Sequence, residues 1–383
     1  MNNKSKVLAD KWSKSEGATL KSSAEEELAA STRRNSTFDE SNEISDPLTS
    51  SHDDVDQVQL GSELATLFKD NGVHPVFIFG SKGAGKTSLL TSLFKYFQLS
   101  ANAEAAIYLF DDLFPSDDAR WFQHVSWARD VFYKKVNDTI ESAAPSATTE
   151  PSPFFVPIII KRKTGEEIKI AFLEGKGEWY MPDETAAVPF KPFKGILQGL
   201  LQQFNDAATV IYVAPFTTGG QVRGSAPESS RSVDLRKSDR GLVGAINEYI
   251  SLRKAHFHHD NHLLLITKWD IYCGGVAGEL FVDPPGEYIE EVLNERFELT
   301  WTRFQALEIS LRTQNKNYSI YCAGVMDGLS IMRPAQEDVD MIDRYPRKIW
   351  DWIHKNAVGT SLFEDVQPRK ISILDRLIKI IRG

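Results

Sequence analysis

Phe77-Ile-Phe-Gly-Ser-Lys-Gly-Ala-Gly-Lys-Thr-Ser88 decides the fold. Within it Gly80, Ser81, Lys82, Gly83, Ala84, Gly85, Lys86 and Thr87 match G-x-x-x-x-G-K-[ST] without departure, directly after the apolar run Pro75–Phe79. The glycines let the backbone adopt positive φ and approach a polyphosphate, so that several N–H groups converge on one anion. Lys86 supplies a point charge for β- and γ-phosphates, and the Thr87 hydroxyl is a ligand for Mg²⁺. Leu90, Leu93, Phe94 and Phe97 recur behind the loop at helical spacing. The phosphates would then meet a helix N-terminus through Ser88 and its neighbours, where the partial positive charge favours them.

Outward from this loop, strand-like runs alternate with helical patterns. The strands are 105–110, 154–160, 167–173, 209–213, 262–266 and 318–322. Helical patterns fall around 193–205, 242–257, 288–312 and 347–355. Such alternation predicts a three-layer α/β domain with a mostly parallel sheet, whose ligands bind beyond the carboxyl ends of the strands. The runs 154–160 and 167–173 flank Lys163-Thr-Gly165 and read as an antiparallel edge hairpin, with Pro157 marking the first as an edge strand. Trp121, Val125, Ala128, Phe132 and Val136 write one apolar helix face inside an insertion at 98–153.

The base is addressed by Thr267-Lys-Trp-Asp270, which follows the strand 262–266. A carboxylate at Asp270 accepts from both N1–H and the 2-amino group of guanine, and adenine offers neither donor in that arrangement. Leaving such a carboxylate unpaired is costly, which is the basis of discrimination. The stem of Lys268 would cover the base, and Thr267 would tie this loop to the phosphate loop. After the next strand, the small residues of Cys322-Ala323-Gly324 would let backbone N–H groups reach the guanine carbonyl.

In order and strand-end placement these motifs resemble the Ras-like, translation-factor-related GTPases over roughly residues 72–357. The resemblance takes in Glu174-Gly-Lys-Gly177 as a D-x-x-G variant, and the 98–153 insertion leans toward the bacterial stand-alone or double-GTPase-type branch. It implies that Glu174 reaches Mg²⁺ through water, that Gly177 serves the nucleotide, and that Thr148 or Thr149 is the switch threonine, with Thr149 the metal-site candidate. Two departures bear on hydrolysis: Glu174 replaces the usual Asp, and Glu178 stands where a water-positioning Gln is common. The expected activity is Mg²⁺-dependent GTP hydrolysis to GDP with Lys86 in the catalytic role, coupled to a protein effector or activating partner. A P-loop ATPase of another class and a non-hydrolysing nucleotide-dependent adaptor are the alternatives.

The rest of the chain bounds these readings. A net charge of −9 over 383 residues argues against general affinity for nucleic-acid backbones. Two cysteines, Cys273 and Cys322, give neither a disulfide framework nor a zinc spacing, which fits a reducing cytoplasm. Residues 1–56 are polar and read as a disordered tail ahead of a 57–357 domain. Their lysines precede no apolar core, so no secretory signal is expected. His256, His258, His259 and His262 read as a polar helix end rather than a metal site, and Arg223, Arg231, Arg236 and Arg240 lie in what reads as a solvated 216–241 loop. In the 358–383 extension, Leu374, Leu377, Ile378 and Ile381 form one face of a basic amphipathic helix. It has the chemistry for an anionic membrane or a partner groove; packing on its own domain is the favoured reading.

Overall fold

The strand Val73–Phe79 is apolar at almost every position and buried on both sides, the signature of a central parallel strand. The computed structural model describes residues 50–99, 105–141, 153–176, 193–217, 228–272, 284–311, 317–323, 325–327, 330–332 and 339–363. In chain order the strands of the main sheet are β1 (Val73–Phe79), β2 (Ala105–Leu109), β3 (Phe154–Arg162), β4 (Glu167–Glu174), β5 (Thr209–Pro215), β6 (Asn261–Thr267) and β7 (Tyr318–Ile320). They lie in the order β2-β3-β4-β1-β5-β6-β7. From β4 through β7 all neighbours are parallel, whereas β3 runs antiparallel to both β4 and β2. A short hairpin, β8 (Val325–Asp327) with β9 (Ser330–Met332), stands apart.

The α/β class and the antiparallel hairpin agree with the sequence reading, but β3 is not the edge. β2, from within the insertion, pairs along its outer side from Ile158 to Arg162. Pro157 sits where that pairing stops: its carbonyl accepts Phe110 N–H at 2.9 Å, and the proline nitrogen has no proton to return. The proline ends a ladder rather than marking a bare edge.

The helices are α1 (Ser50–Asn71), α2 (Lys86–Leu99), α3 (Ala119–Arg129), α4 (Val136–Glu141), α5 (Ile196–Gln203), α6 (Glu228–Arg253), α7 (Trp269–Tyr272), α8 (Gly286–Arg296), α9 (Glu298–Leu311) and α10 (Val339–Val358). One sheet face is covered by α2 and α10: Phe94 and Trp350 both pack edge-on to Phe172 of β4, and Trp350 Nε1 donates to Leu93 O at 2.9 Å. On the other face Phe77 of β1 meets Tyr249 of α6 and Phe155 of β3, which in turn packs on Phe68 of α1.

Several boundaries differ from those expected. α1 begins at Ser50, so regular structure reaches into the 1–56 segment; the residues before it lie outside the described ones. Leu60, Leu64, Ala65 and Phe68 of α1 belong to the core. A π-helical turn, Asp130–Lys135, joins α3 to α4, and Trp121, Ala128, Phe132 and Val136 of the predicted stripe are buried. The pattern read as one helix over 288–312 is two, because Phe297 is buried between them and Asp239 of α6 caps the second, accepting Leu299 N–H at 3.0 Å and Thr300 N–H at 2.8 Å. The stretch read as a 216–241 loop is helical from Glu228 onward, with Arg236 and Arg240 at exposed positions of α6 and Arg223 outside the described residues.

α1 crosses α5 at unusually short range. A Cβ on Gly61 would lie 2.1 Å from Ile196 O, and one on Gly199 would lie 2.0 Å from Val58 O. Only hydrogen at both Cα positions permits that approach.

At the end of the sheet away from the phosphate loop, the buried Asp260 carboxylate gathers four donors. Tyr249 Oη and Arg253 Nε donate to Oδ2 at 2.8 Å each, while Arg253 Nη2 (2.7 Å) and the Ala208 amide (2.9 Å) donate to Oδ1. The guanidinium also donates to the carbonyls of Phe204 and Asp206. His262, beside this group on β6, is buried with no partner on Nε2, and burial lowers its pKa to about 4; burial does the same to His124 on α3.

A folded pKa below the unfolded value of about 6.5 means the unfolded chain binds more protons between those limits. Stability is therefore complete above pH 6.5 and falls as the pH drops toward 4, by at most about 1.4 kcal/mol per pH unit per histidine. Urea-unfolding free energies measured from pH 7 to 5 should fall, and His262→Phe should flatten that fall by up to one proton.

Candidate functional site

The site is built where β1 ends. Gly83 (φ +70°) and Gly85 (φ +90°) turn the backbone back on itself between Phe79 and α2, and Leu89 N–H donates to Gly85 O at 2.8 Å to start the helix. Lys86 is buried, its Nζ donating to Gly80 O at 2.8 Å and Ser81 O at 3.3 Å. These carbonyls hold the ammonium over the loop. Ala84 and Ser81 are buried, whereas Lys82 is exposed.

β4 lies beside β1, so its last residue arrives next to the start of α2. Glu174 is 1% exposed, and its Oε1 accepts the Thr87 hydroxyl at 2.8 Å. Two hard oxygen donors thus adjoin the loop, the number of protein ligands that suits Mg²⁺ when phosphates and water complete its shell. The residues expected to flank them, Gly177, Glu178, Thr148 and Thr149, lie outside the described residues.

On the other side, β6 ends in Thr267, whose hydroxyl donates to Ala84 O at 2.6 Å. This is the tie between the two loops that the sequence predicts for Thr267. Lys268 is held at φ +59°, a costly conformation for a side chain with a Cβ, and its Nζ donates to Thr217 O at 2.9 Å. Burial lowers the Lys268 pKa to about 8, with the neighbouring Asp270 charge acting against the shift. Asp270 is 4% exposed, at the first turn of α7.

The loop is fastened on two further sides. Phe216 N–H donates to Thr267 O at 2.9 Å, and the Arg296 guanidinium covers the Phe216 ring at 4.0 Å while Nη1 donates to its carbonyl at 3.0 Å. Trp269 N–H reaches Tyr321 O at 3.3 Å, and the buried Tyr321 hydroxyl shares a short hydrogen bond with Ser92 of α2. Cys322 and Ala323 follow directly, buried and half-buried; Gly324 is outside the described residues.

The structure therefore gathers Gly80–Ser88, Glu174, Thr267, Lys268, Asp270, Cys322 and Ala323 at the carboxyl ends of β1, β4, β6 and β7. Ser238, Arg296 and Tyr321 join them without any signal in the sequence. The histidines do not: His256, His258 and His259 occupy a 3₁₀ turn next to Asp260, at the opposite end, and His262 is core. Among the described residues no group of three or more His, Cys, Asp or Glu could hold a metal by itself, and no helix is long and apolar enough to cross a membrane. The residues of the amphipathic 374–381 pattern lie outside the described ones.

No protein-family model and no curated protein matches the chain. Among solved structures it is similar to a chain of the signal recognition particle receptor SRb-GTP/SRX complex from Chaetomium thermophilum, at 15% identity over 72% of this chain and 97% of that chain, with a TM-score of 0.32. A likeness at that score carries no argument, and the fold class rests on the strand order and register above.

Thr267→Val removes the donor to a buried carbonyl while keeping shape. Denaturant unfolding should show a loss of about 1–3 kcal/mol, with Thr267→Ser close to wild type.

Proposed function

We propose that the chain binds guanine nucleotides at these strand ends and hydrolyses GTP to GDP with Mg²⁺, as a nucleotide-dependent switch or assembly factor working with a protein effector in a reducing cytoplasm. The observation that carries the reading is the Thr267 to Ala84 hydrogen bond. It joins a phosphate loop to a loop bearing a buried carboxylate, so one ligand with a polyphosphate at one end and hydrogen-bond donors at the other would span both.

In this reading Gly80 to Ser88 cradle the phosphates, and Lys86 exchanges its carbonyl partners for the β- and γ-phosphate oxygens, where its charge offsets what builds up during transfer. Gly177 adds an N–H near the γ-phosphate. Thr87 and Glu174 would hold Mg²⁺, with Thr149 as the switch threonine. Mg²⁺ held by these residues would supply positive charge beside the phosphates. The Lys268 stem covers the base, Asp270 accepts from its N1–H and 2-amino group, and the Cys322, Ala323 and Gly324 backbone faces its carbonyl. The class proposed is the Ras-like, translation-factor-related one, and no branch within it. The insertion that suggested a double-GTPase-type branch contributes β2, a strand that any sheet with a free edge can accept.

A fluorescent GDP analogue should be displaced from the Mg²⁺-supplemented protein by GTP and not by equimolar ATP; equal displacement would transfer the reading to an ATPase. Asp270→Asn should weaken GTP by at least about 100-fold and improve xanthosine triphosphate, because an amide can donate to the xanthine 2-carbonyl but opposes guanine's 2-amino donor. Phosphate release in a single turnover separates a hydrolase from a non-hydrolysing adaptor.

A further inference from the structure

Ser81, the second residue of the phosphate loop, is 1% exposed and shares a 2.6 Å hydrogen bond with Ser238 Oγ, itself 0% exposed on α6. The same residue's carbonyl accepts from Lys86 Nζ at 3.3 Å. Ser81 thus has its side chain fixed from α6 and its main chain engaged with the lysine.

α6 cannot readily yield at that point. The next residue, Asp239, takes the Leu299 and Thr300 amides at the start of α9, and its own carbonyl accepts the Thr300 hydroxyl at 3.1 Å. Further along, Leu242, Ala245, Ile246 and Tyr249 are buried, and Arg253 closes the helix on Asp260. Ser238 is therefore a post set directly ahead of an anchored stretch of helix. By contrast the loop it holds contains Gly83 and Gly85 at positive φ, where the chain has most freedom to lose.

We propose that Ser238 is a positioning residue of the phosphate site: through the Ser81 side chain it keeps the phosphate loop in its binding shape before ligand arrives. This rests on the reading of the loop as a phosphate site. The advantage is preorganisation, since a loop ordered in advance does not spend binding energy on ordering itself.

The test is a double-mutant cycle on the full chain with Ser81→Ala, Ser238→Ala and the pair, reading Mg²⁺·GTP and Mg²⁺·GDP affinity by fluorescence competition and the thermal midpoint without nucleotide. Each single variant should weaken binding about three- to ten-fold, the worth of one hydrogen bond, and the pair should weaken it no more than the stronger single. A lowered midpoint with unchanged affinity would make Ser238 merely structural, and additive losses would show that the two serines act apart; either overturns the proposal. Should Ser238→Ala fold poorly, Ser81→Ala tests the same bond from the loop side, and an unchanged affinity there is equally fatal. Absence of any nucleotide binding by the wild type would remove the reading of the site itself, a result distinct from wild-type binding that the variants leave intact.

Discussion

The Asp260 carboxylate is the constraint on which the arrangement rests. It sits in the turn before β6, buried among four donors that come from Ala208, just ahead of β5, and from Tyr249 and Arg253 of α6. With an ionised group so placed, the four donors must be where they are, because a buried charge without partners costs several kcal/mol. The knot therefore fixes how far β5 and β6 have advanced relative to each other, in a register that pairs Thr209 with Asn261 and Pro215 with Thr267. Seven residues on, that register decides where Thr267 ends up relative to the phosphate loop. A polar group that adds little net stability can still specify alignment where parallel apolar strands would tolerate a slip.

The loops at the working end are mutually fastened rather than individually rigid. Thr267 holds Ala84, Phe216 holds Thr267, and Tyr321 receives Trp269 while its hydroxyl reaches Ser92. Bonds of this kind are modest singly, but each removes a rotation that a ligand would otherwise have to freeze. Lys268 shows the cost of the scheme, since its left-handed backbone is held by the contacts on either side.

What could be read from the sequence was what local chemistry dictates. The phosphate loop, the Thr267 tie, the strands and the β3–β4 hairpin follow from periodicity, turn residues and motif order. What escaped depends on partners far along the chain. Nothing near Ser238 marks it as the partner of a serine 157 positions away. The break at Phe297 needs a cap from α6, and an apolar run crossing a short interruption looks continuous. Pro157 reads as an edge by the general rule, and although the strand at 105–110 is legible, nothing local shows that it pairs with β3 on that side. Asp260 follows the histidine cluster directly, and nothing in its local sequence marks it as the acceptor of Tyr249 and Arg253.

The glycine contact between α1 and α5 has a mechanical meaning. Most helices touch through side chains, whose rotamers absorb a small shift of one axis past the other. Here Gly61 and Gly199 bring main chain against main chain, leaving no compliant layer between them. Rotation or sliding of α5 would drive carbonyl oxygens into Cα atoms, so α5 is coupled to α1 like a tooth in a gear, and a displacement at Ile196 must be carried to the helix that begins at Ser50.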